Sequence, residues 1–131
     1  MDTLQIDRLD HLVLTVADIE ITCEFYSQAL GMQVITFGKN RKVLSFGQQK
    51  INLHQHGHEF EPKAAYPTPG SADLCFITSI PLGEIMRHLE SIGVSVVAGP
   101  VSRMGAVGTI HSLYLHDPDG NLIEISNYRS G

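Results

Sequence analysis

Residues 9–16 read LDHLVLTV, and this stretch decides the fold. Leu12, Leu14 and Val16 fall on one face by a period of two, which is typical of a β-strand that buries one side. His11 lies on the opposite face, together with the other alternate residues of the run. The stretch therefore predicts a strand with an apolar face for a core and a second face free for chemistry.

A helix and three further strands are predicted directly after this strand. Asp18 is a good N-cap, apolar residues then recur at helical spacing, and Gly31 supplies a C-terminal stop, which together indicate a helix of about 12 residues. Short apolar runs follow, separated by turn residues at Gly38-Lys39-Asn40 and Gly47-Gln48. These strands are expected at residues 32–37, 42–46 and 50–55. The first half of the chain thus reads βαβββ.

The same order returns after an aperiodic, proline-rich segment. A strand is expected at 73–79, a helix between Pro81 and Gly93, and further strands at 94–97, 108–115 and 122–126, with a tight turn at 117–120. The interval from His11 to Asp73 equals that from Gly31 to Gly93, 62 residues, so the two halves share one register. This repeat predicts an α+β fold of two tandem βαβββ modules that form an open, barrel-like mixed sheet with a cleft.

The repeat also predicts one domain rather than two. A module of about 60 residues is too small to bury both faces of its sheet, so the two modules are expected to pack together. We expect a single domain over residues 1–131, with a first module at about 8–56, a connecting loop at about 57–71 and a second module at about 72–128. The chain has 131 residues and 43% hydrophobic content, enough for such a core.

Composition excludes several classes of protein. The formal net charge of −5 gives no basic footprint for nucleic acid or an anionic membrane. No apolar run reaches a membrane-spanning length, and the first ten residues do not resemble a signal peptide, so a soluble, cytoplasmic protein is expected. Cys23 and Cys75 lack CxxC spacing, which argues against a disulfide framework or a cysteine zinc site. The seven histidines suggest a metal site instead.

The sheet faces that point away from the helices carry the candidate site. Sorting by period two leaves metal-binding or polar side chains there on four strands: His11 on the first, Asn52 and His54 on the fourth, Asp73 and Cys75 on the fifth, and Glu124 on the last. Two imidazoles and two carboxylates suit a divalent cation of borderline hardness, such as Ni²⁺, Co²⁺, Zn²⁺, Mn²⁺ or Fe²⁺.

Other residues are weaker candidates. Arg103, in the turn-rich stretch 102–108, is placed to hold a substrate carboxylate or phosphate, or else belongs to a plain hairpin loop. Cys75 faces the expected cleft but has no basic neighbour, which disfavours a nucleophile and leaves a substrate contact. His56 and His58 form an HxH pair in the connecting loop, where solvent exposure is the favoured interpretation.

Several motifs together resemble a known superfamily. They are the strand at 9–16, the pairs Phe25-Tyr26 and Leu30-Gly31, and the segment DPDGNLIE at 117–124, combined with the βαβββ duplication. This combination resembles the vicinal oxygen chelate superfamily, which includes glyoxalase I, bleomycin-resistance proteins, fosfomycin-resistance enzymes and extradiol dioxygenases. The resemblance covers nearly the whole chain.

The resemblance implies a metal site, often shared across a homodimer. In the superfamily the first strand usually supplies a histidine, here His11, and the last strand a glutamate, here Glu124. The strand that opens the second module usually supplies another histidine, but this chain has Asp73 there. His54 then either restores the nitrogen ligand or serves as a substrate contact or general base, with Asn52 beside it.

The function implied is a glyoxalase I-like lyase or isomerase. Such an enzyme uses a divalent metal to stabilise an enediolate of a small oxygenated substrate, with a thiol such as glutathione as cosubstrate and Glu124 as the base. The alternatives are a metal-free drug-binding protein of the bleomycin-resistance type, a fosfomycin-type thiol transferase, and an extradiol dioxygenase. The last is disfavoured because those enzymes commonly carry four modules and a His, His, Glu set.

Overall fold

A computed structural model describes residues 3–39 and 41–129. The elements follow in the order β1 (His11–Val16), α1 (Ile19–Leu30), β2 (Gln33–Phe37), β3 (Arg41–Phe46), β4 (Gln49–Gln55), β5 (Asp73–Ile77), α2 (Leu82–Ser91), β6 (Ala98–Met104), β7 (Thr109–His116) and β8 (Leu122–Tyr128). The expected turn at Gly38-Lys39-Asn40 includes Asn40, which lies outside the described residues. No described helix has the length and apolar character needed to cross a membrane.

The predicted α+β class and the βαβββ duplication are confirmed. The strands form two four-stranded sheets, ordered β1-β4-β3-β2 and β5-β8-β7-β6. In each sheet the first strand of the module pairs in parallel with its last strand, and the remaining pairs are antiparallel. The two sheets remain separate and are not closed into a barrel, because each keeps its ladder hydrogen bonds within its own module.

The helices begin and end where local chemistry requires. Asp18 caps α1 by accepting a hydrogen bond from Ile21 N at 3.1 Å, and Gly31 ends it in the left-handed conformation with φ 67°. Pro81 has no side chain that can cap α2. Asn127 of β8, distant in the sequence, caps the helix instead by accepting a hydrogen bond from Leu82 N at 3.2 Å. Sequence reasoning missed this cap because it depends on tertiary contact.

The prediction of a strand at residues 94–97 is wrong. The strand lies later, as β6, and it includes Arg103, which had been placed in a turn-rich stretch. Gly99 and Pro100 look like strand breakers, but a register shift between Ala98 and Val101 accommodates them. Gly99 has φ 103°, and a Cβ there would clash with the Ser112 carbonyl oxygen, so this position needs glycine.

The core lies between the helices and one face of each sheet, so that both modules share it. Sixteen buried residues form a single apolar cluster, and their burial removes each module's apolar face from water. The helices also meet directly, since His88 Nε2 lies 2.8 Å from the Gln28 carbonyl oxygen. The buried cluster includes Leu14, Val16, Tyr26, Leu44, Ile51, Leu53, Leu89, Leu113, Leu115, Ile123 and Ile125.

The turn between β7 and β8 joins the two modules through polar contacts. Buried Asp117 accepts a hydrogen bond from the hydroxyl of Tyr26 in α1 at 2.7 Å and another from Asn121 Nδ2 at 2.8 Å. Asn121 Oδ1 in turn accepts from Ala72 N, just before β5, at 2.8 Å. Asp119 reaches the first module and accepts from Ala17 N at 3.1 Å. We call these contacts the turn clamp.

We predict that Tyr26→Phe destabilises the fold. Tyr26 is fully buried, and its hydroxyl is one of the donors that satisfy the buried Asp117 carboxylate. Removing this donor should lower the free energy of unfolding by about 1–3 kcal/mol, measured by denaturant titration. Tyr66→Phe is the matched control: Tyr66 is 89% exposed, and its loss should change stability by less than about 0.5 kcal/mol. Equal effects of the two substitutions would contradict the turn clamp.

A second prediction concerns pH and Asp119. Burial raises the pKa of this carboxyl above its ordinary value of 3.8, and the nearby Asp117 and Asp18 carboxylates raise it further, against a lowering by Ala17 N. Its Oδ2 is buried without a hydrogen-bond partner among the described residues. The folded state therefore binds the Asp119 proton more tightly than the unfolded chain, so protonation stabilises the fold as pH falls through the raised pKa.

The stability of Asp119→Asn relative to the natural chain should therefore be highest at neutral pH and decline towards acid. Urea unfolding of both proteins across the range from about pH 7 to pH 4 measures this difference. Exposed Asp7→Asn controls for the loss of one negative charge. A relative stability that instead rises as pH falls would show that the sign is wrong.

Candidate functional site

Each sheet has an outward face, the one opposite the core, and the second sheet's outward face holds a connected polar group. Glu124 on β8 lies opposite Cys75 on β5 and Tyr114 on β7, while Ser126 lies opposite Ser112. Ser112 Oγ lies 2.6 Å from Glu124 Oε2 and 2.7 Å from Ser126 Oγ. The Cys75 sulfur lies 3.4 Å from Ser126 Oγ. Glu124 is therefore half-buried and held at one oxygen.

The first sheet's outward face carries the two predicted histidines. His11 begins β1 and is exposed, and its Nδ1 lies 2.8 Å from Asp10 Oδ2. The bond to His11 lowers the pKa of Asp10, which therefore stays a carboxylate acceptor. A histidine that donates from Nδ1 keeps its Nε2 lone pair free for a ligand. His54 lies on the same face of β4, beside Thr15.

His11 and His54 do not lie together. The parallel register pairs His11 with Lys50 and Thr15 with His54. His54 is thus displaced from His11 by four residues along the strands, or about 13 Å at about 3.3 Å per residue. Two imidazoles with nitrogens about 2.1 Å from one ion cannot span that separation from neighbouring strands. Within one chain, then, His54 and His11 cannot bind the same metal ion.

The two modules place different residues at corresponding positions. His11 and Asp73 each begin the first strand of a module, and both are exposed. Asn52, opposite Val13, occupies the position that Glu124 holds opposite Cys75. Asn52 Oδ1 is buried with no hydrogen-bond partner in the described part of the chain. Among the described residues, no three His, Cys, Asp or Glu side chains lie close enough together to hold a metal ion.

A pocket lies at the other end of β1 and β4, and sequence reasoning missed it. The connecting loop folds over the outward face, where Phe60 contacts the His54 ring edge to face at 5.6 Å and lies 4.0 Å under the Arg41 guanidinium. The pocket has a volume of about 350 Å³ and is open to solvent. Its lining includes His54, Thr15, Val13, Lys63 and Tyr66. The prolines of this loop predicted an irregular segment but gave no sign of what it would cover.

The remaining candidates are placed as follows. Arg103 Nε donates to the Tyr114 hydroxyl at 3.2 Å, and Tyr114 lies opposite Glu124, so Arg103 extends from β6 towards the polar group. His56 is exposed, and its Nδ1 lies 3.5 Å from Glu59 Oε2. Burial raises the pKa of the Cys75 thiol, and the charges of Glu124 and Asp73 raise it further against a lowering by Ser126. A protonated thiol is a poor nucleophile but can donate a hydrogen bond.

Known proteins share this fold and much of this sequence. Virulence protein STM3117 of Salmonella typhimurium is 62% identical over 94% of this chain and 85% of its own length. The glyoxalase domain-containing protein RDO1 of Mycosarcoma maydis is 55% identical over 96% of this chain and 71% of its length. A probable lactoylglutathione lyase of Vibrio parahaemolyticus is 25% identical over 90% of this chain and 88% of its length.

Solved structures agree at the level of the fold. The crystal structure of the Salmonella protein matches with a TM-score of 0.94 and 60% identity, covering 96% of this chain and all of that one. The antibiotic binding protein TnmS3 of a Streptomyces species, at 20% identity, matches with a TM-score of 0.74 over 97% and 100% of the two chains.

The resemblance inferred from the motifs is confirmed by a family model that matches residues 8–125. The strand at 9–16 and the DPDGN turn both lie inside this range, as do the first module and all of the second except the last residues of β8. The chain belongs to the glyoxalase/bleomycin resistance protein/dioxygenase superfamily.

Proposed function

We propose that the protein is a metal-dependent lyase or isomerase of the glyoxalase I type, acting on a small oxygenated substrate conjugated to a thiol such as glutathione. Its superfamily includes glyoxalases, and one relative at 25% identity is named a probable lactoylglutathione lyase. The observation that carries the proposal is the state of the two main candidate ligands. His11 and Glu124 are each held at one atom by a neighbour, Asp10 or Ser112.

Hydrogen bonding of this kind is what a metal ligand requires. A bond at Nδ1 fixes the ring of His11 and presents Nε2, and a bond at Oε2 fixes the carboxylate of Glu124 and presents Oε1. Imidazole and carboxylate donors suit a divalent cation of borderline hardness. Asp73, exposed at the start of β5, supplies a third donor of compatible chemistry. The chemistry of these donors, which lie apart within one chain, therefore suits a metal such as Zn²⁺, Ni²⁺, Co²⁺, Mn²⁺ or Fe²⁺.

One chain supplies these donors on separate sheets, so we propose that a second copy completes the site in a homodimer. The outward faces expose apolar side chains beside the donors: Val13 is 45% exposed, Ile35 41% and Ile77 52%. Exposed apolar side chains grouped on a sheet face are typical of an interaction surface. If the outward faces of two copies packed against each other, these apolar side chains would be covered. His11 of one copy's first module would then approach Glu124 of the other copy's second module.

A bound divalent cation would act as a Lewis acid on the carbonyl and hydroxyl oxygens of the substrate. Glu124 is the base that removes the proton from the carbon next to the carbonyl and returns it to the neighbouring carbon, a role worth about 10²–10⁴ in rate. Ser112 keeps one carboxylate oxygen of Glu124 occupied, so Oε1 is the oxygen available to a cation or to the substrate proton. Arg103 and Tyr114 lie on the same face to orient a substrate oxygen.

His54 acts on the substrate instead of the metal in this proposal. Its distance from His11 along the sheet excludes a shared ion within the chain, and it lines the pocket under the connecting loop with Lys63. This pocket suits the thiol part of a conjugated substrate, and Lys63 a carboxylate on it. Asn52, between His11 and His54 on the same face, offers the substrate a polar contact between the metal site and the pocket.

We place the protein in the cytoplasm. The free thiols of Cys23 and Cys75 suit that reducing compartment.

We predict that Glu124→Gln abolishes turnover and that His11→Ala abolishes metal binding. Metal content is measured by elemental analysis of the purified protein, and turnover by assay of a methylglyoxal–thiol adduct. Glu124→Gln should lower kcat by about 10²-fold or more with the fold intact, because the amide cannot accept the proton. His54→Ala should keep the metal and raise KM. His58→Ala, an exposed loop histidine, is the control and should change neither quantity.

Two outcomes would overturn the proposal. Undiminished turnover in Glu124→Gln would show that Glu124 is not the base. A metal-free chain that binds an aromatic or cationic drug, with affinity unchanged by His11→Ala, would make the protein a sequestering member of the superfamily.

A further inference from the structure

We propose that Ser112 is a positioning residue that fixes the carboxylate of Glu124. Ser126 fixes Ser112, and Cys75 fixes Ser126. The four side chains form one hydrogen-bonded chain on the second sheet's outward face, across β5, β8 and β7. The inference rests on the proposed role of Glu124 as ligand and base, and assigns three further residues to that role.

The donors and acceptors of this chain allow one direction. An ionised carboxylate only accepts hydrogen bonds, so the Ser112 hydroxyl donates to Glu124 Oε2 across 2.6 Å. A hydroxyl has one hydrogen, so Ser112 accepts from Ser126 at 2.7 Å, and Ser126 accepts from the Cys75 thiol at 3.4 Å. Every proton in the chain thus points towards Glu124. Successive bonds with the same direction polarise and strengthen one another.

Burial makes this arrangement rigid. Ser112 and Ser126 both have 0% relative exposure, so water does not compete for their hydroxyls. They lie directly opposite each other on the paired strands β7 and β8. A buried hydroxyl without a hydrogen-bond partner destabilises the folded state, so neither serine can leave the chain without a loss of stability. The carboxylate is therefore presented with Oε2 held by Ser112, and the Cys75 side chain lies beside the carboxylate as well.

The first module provides an internal comparison. At the positions that correspond to Cys75, Glu124 and Ser126 it has Val13, Asn52 and His54. Asn52 Oδ1 is buried with no hydrogen-bond partner among the described residues, whereas Glu124 has Ser112. The duplicated backbone alone thus does not produce such a chain. The support is specific to the module that carries the candidate base.

The experiment measures Zn²⁺ affinity of the full chain by competition with a chromogenic chelator. Ser112→Ala should weaken affinity about 10-fold or more, the usual cost of losing a residue that orients a ligand. Ser126→Ala should weaken it less, because Ser112 can still donate to Glu124. Thr22→Val is the matched control: it removes a buried hydroxyl that bonds only the Asp18 carbonyl, in the other module, and should leave affinity unchanged. Thermal melts establish that each variant is folded.

A second measurement needs neither metal nor turnover. The infrared S–H stretching band of Cys75, assigned by its disappearance in Cys75→Ser, should have the lowered frequency of a hydrogen-bonded thiol in the metal-free protein. It should move to higher frequency in Ser126→Ala, and by a smaller amount in Ser112→Ala, because the polarisation passes along the chain. Thr22→Val should leave the band in place.

The outcomes separate this inference from the proposed function. If Glu124→Gln weakens Zn²⁺ binding and Ser112→Ala behaves like Thr22→Val, the positioning role is overturned and the metal site stands. If Glu124→Gln leaves Zn²⁺ binding unchanged, Glu124 is not a ligand and the proposed function fails, together with the role given to Ser112. A thiol band that ignores both serine substitutions overturns the hydrogen-bonded chain itself.

Discussion

The structure depends on the burial of one carboxylate, that of Asp117. A buried carboxylate is costly unless several donors surround it, and here the donors come from both modules: Tyr26 from α1, and Asn121 from the turn that leads into β8. Since Asn121 also bonds the start of β5, the same turn orients the second module's first strand. The DPDGN segment, part of the superfamily signature, therefore connects the two modules through the turn clamp. The hydrogen bond from Tyr26 to Asp117 explains why a tyrosine in the first helix belongs to the same signature.

The shared core covers most of the inward faces of both sheets. The candidate site residues lie on the outward faces, where the duplication supplies two copies of the same positions with different side chains. His11 and Asp73 start corresponding strands, and Asn52 and Glu124 lie opposite corresponding neighbours. Divergence of the two modules at equal positions gives the outward faces unlike side chains, as a single asymmetric site requires.

Local pattern in the sequence predicted much of this, for physical reasons that also set its limits. The alternation with a period of two correctly assigned the inward and outward side chains of β1, β4, β5 and β8, because one face of each strand packs against the core. The separation of His54 from His11 depends on the β1–β4 register, which pairs residues about 40 positions apart and leaves no local trace. The wrong position predicted for β6 also results from a contact distant in the sequence. Gly99 and Pro100 are typical strand breakers, and only the register shift in the pairing with β7 accommodates them in a strand.

The serine pair shows most clearly what sequence patterns leave out. Ser112 and Ser126 are small polar residues in strands, and nothing near them in the sequence distinguishes a buried hydroxyl from an exposed one. Their importance comes from being opposite each other and next to Glu124, which only the pairing of β7 with β8 establishes. Two uncharged hydroxyls can be buried there at little cost because both have hydrogen-bond partners: Ser112 bonds Glu124 and Ser126, and Ser126 also bonds Cys75. A basic partner on Glu124 would instead neutralise the carboxylate that a cation needs, so hydroxyl donors suit a metal ligand better than an ion pair would.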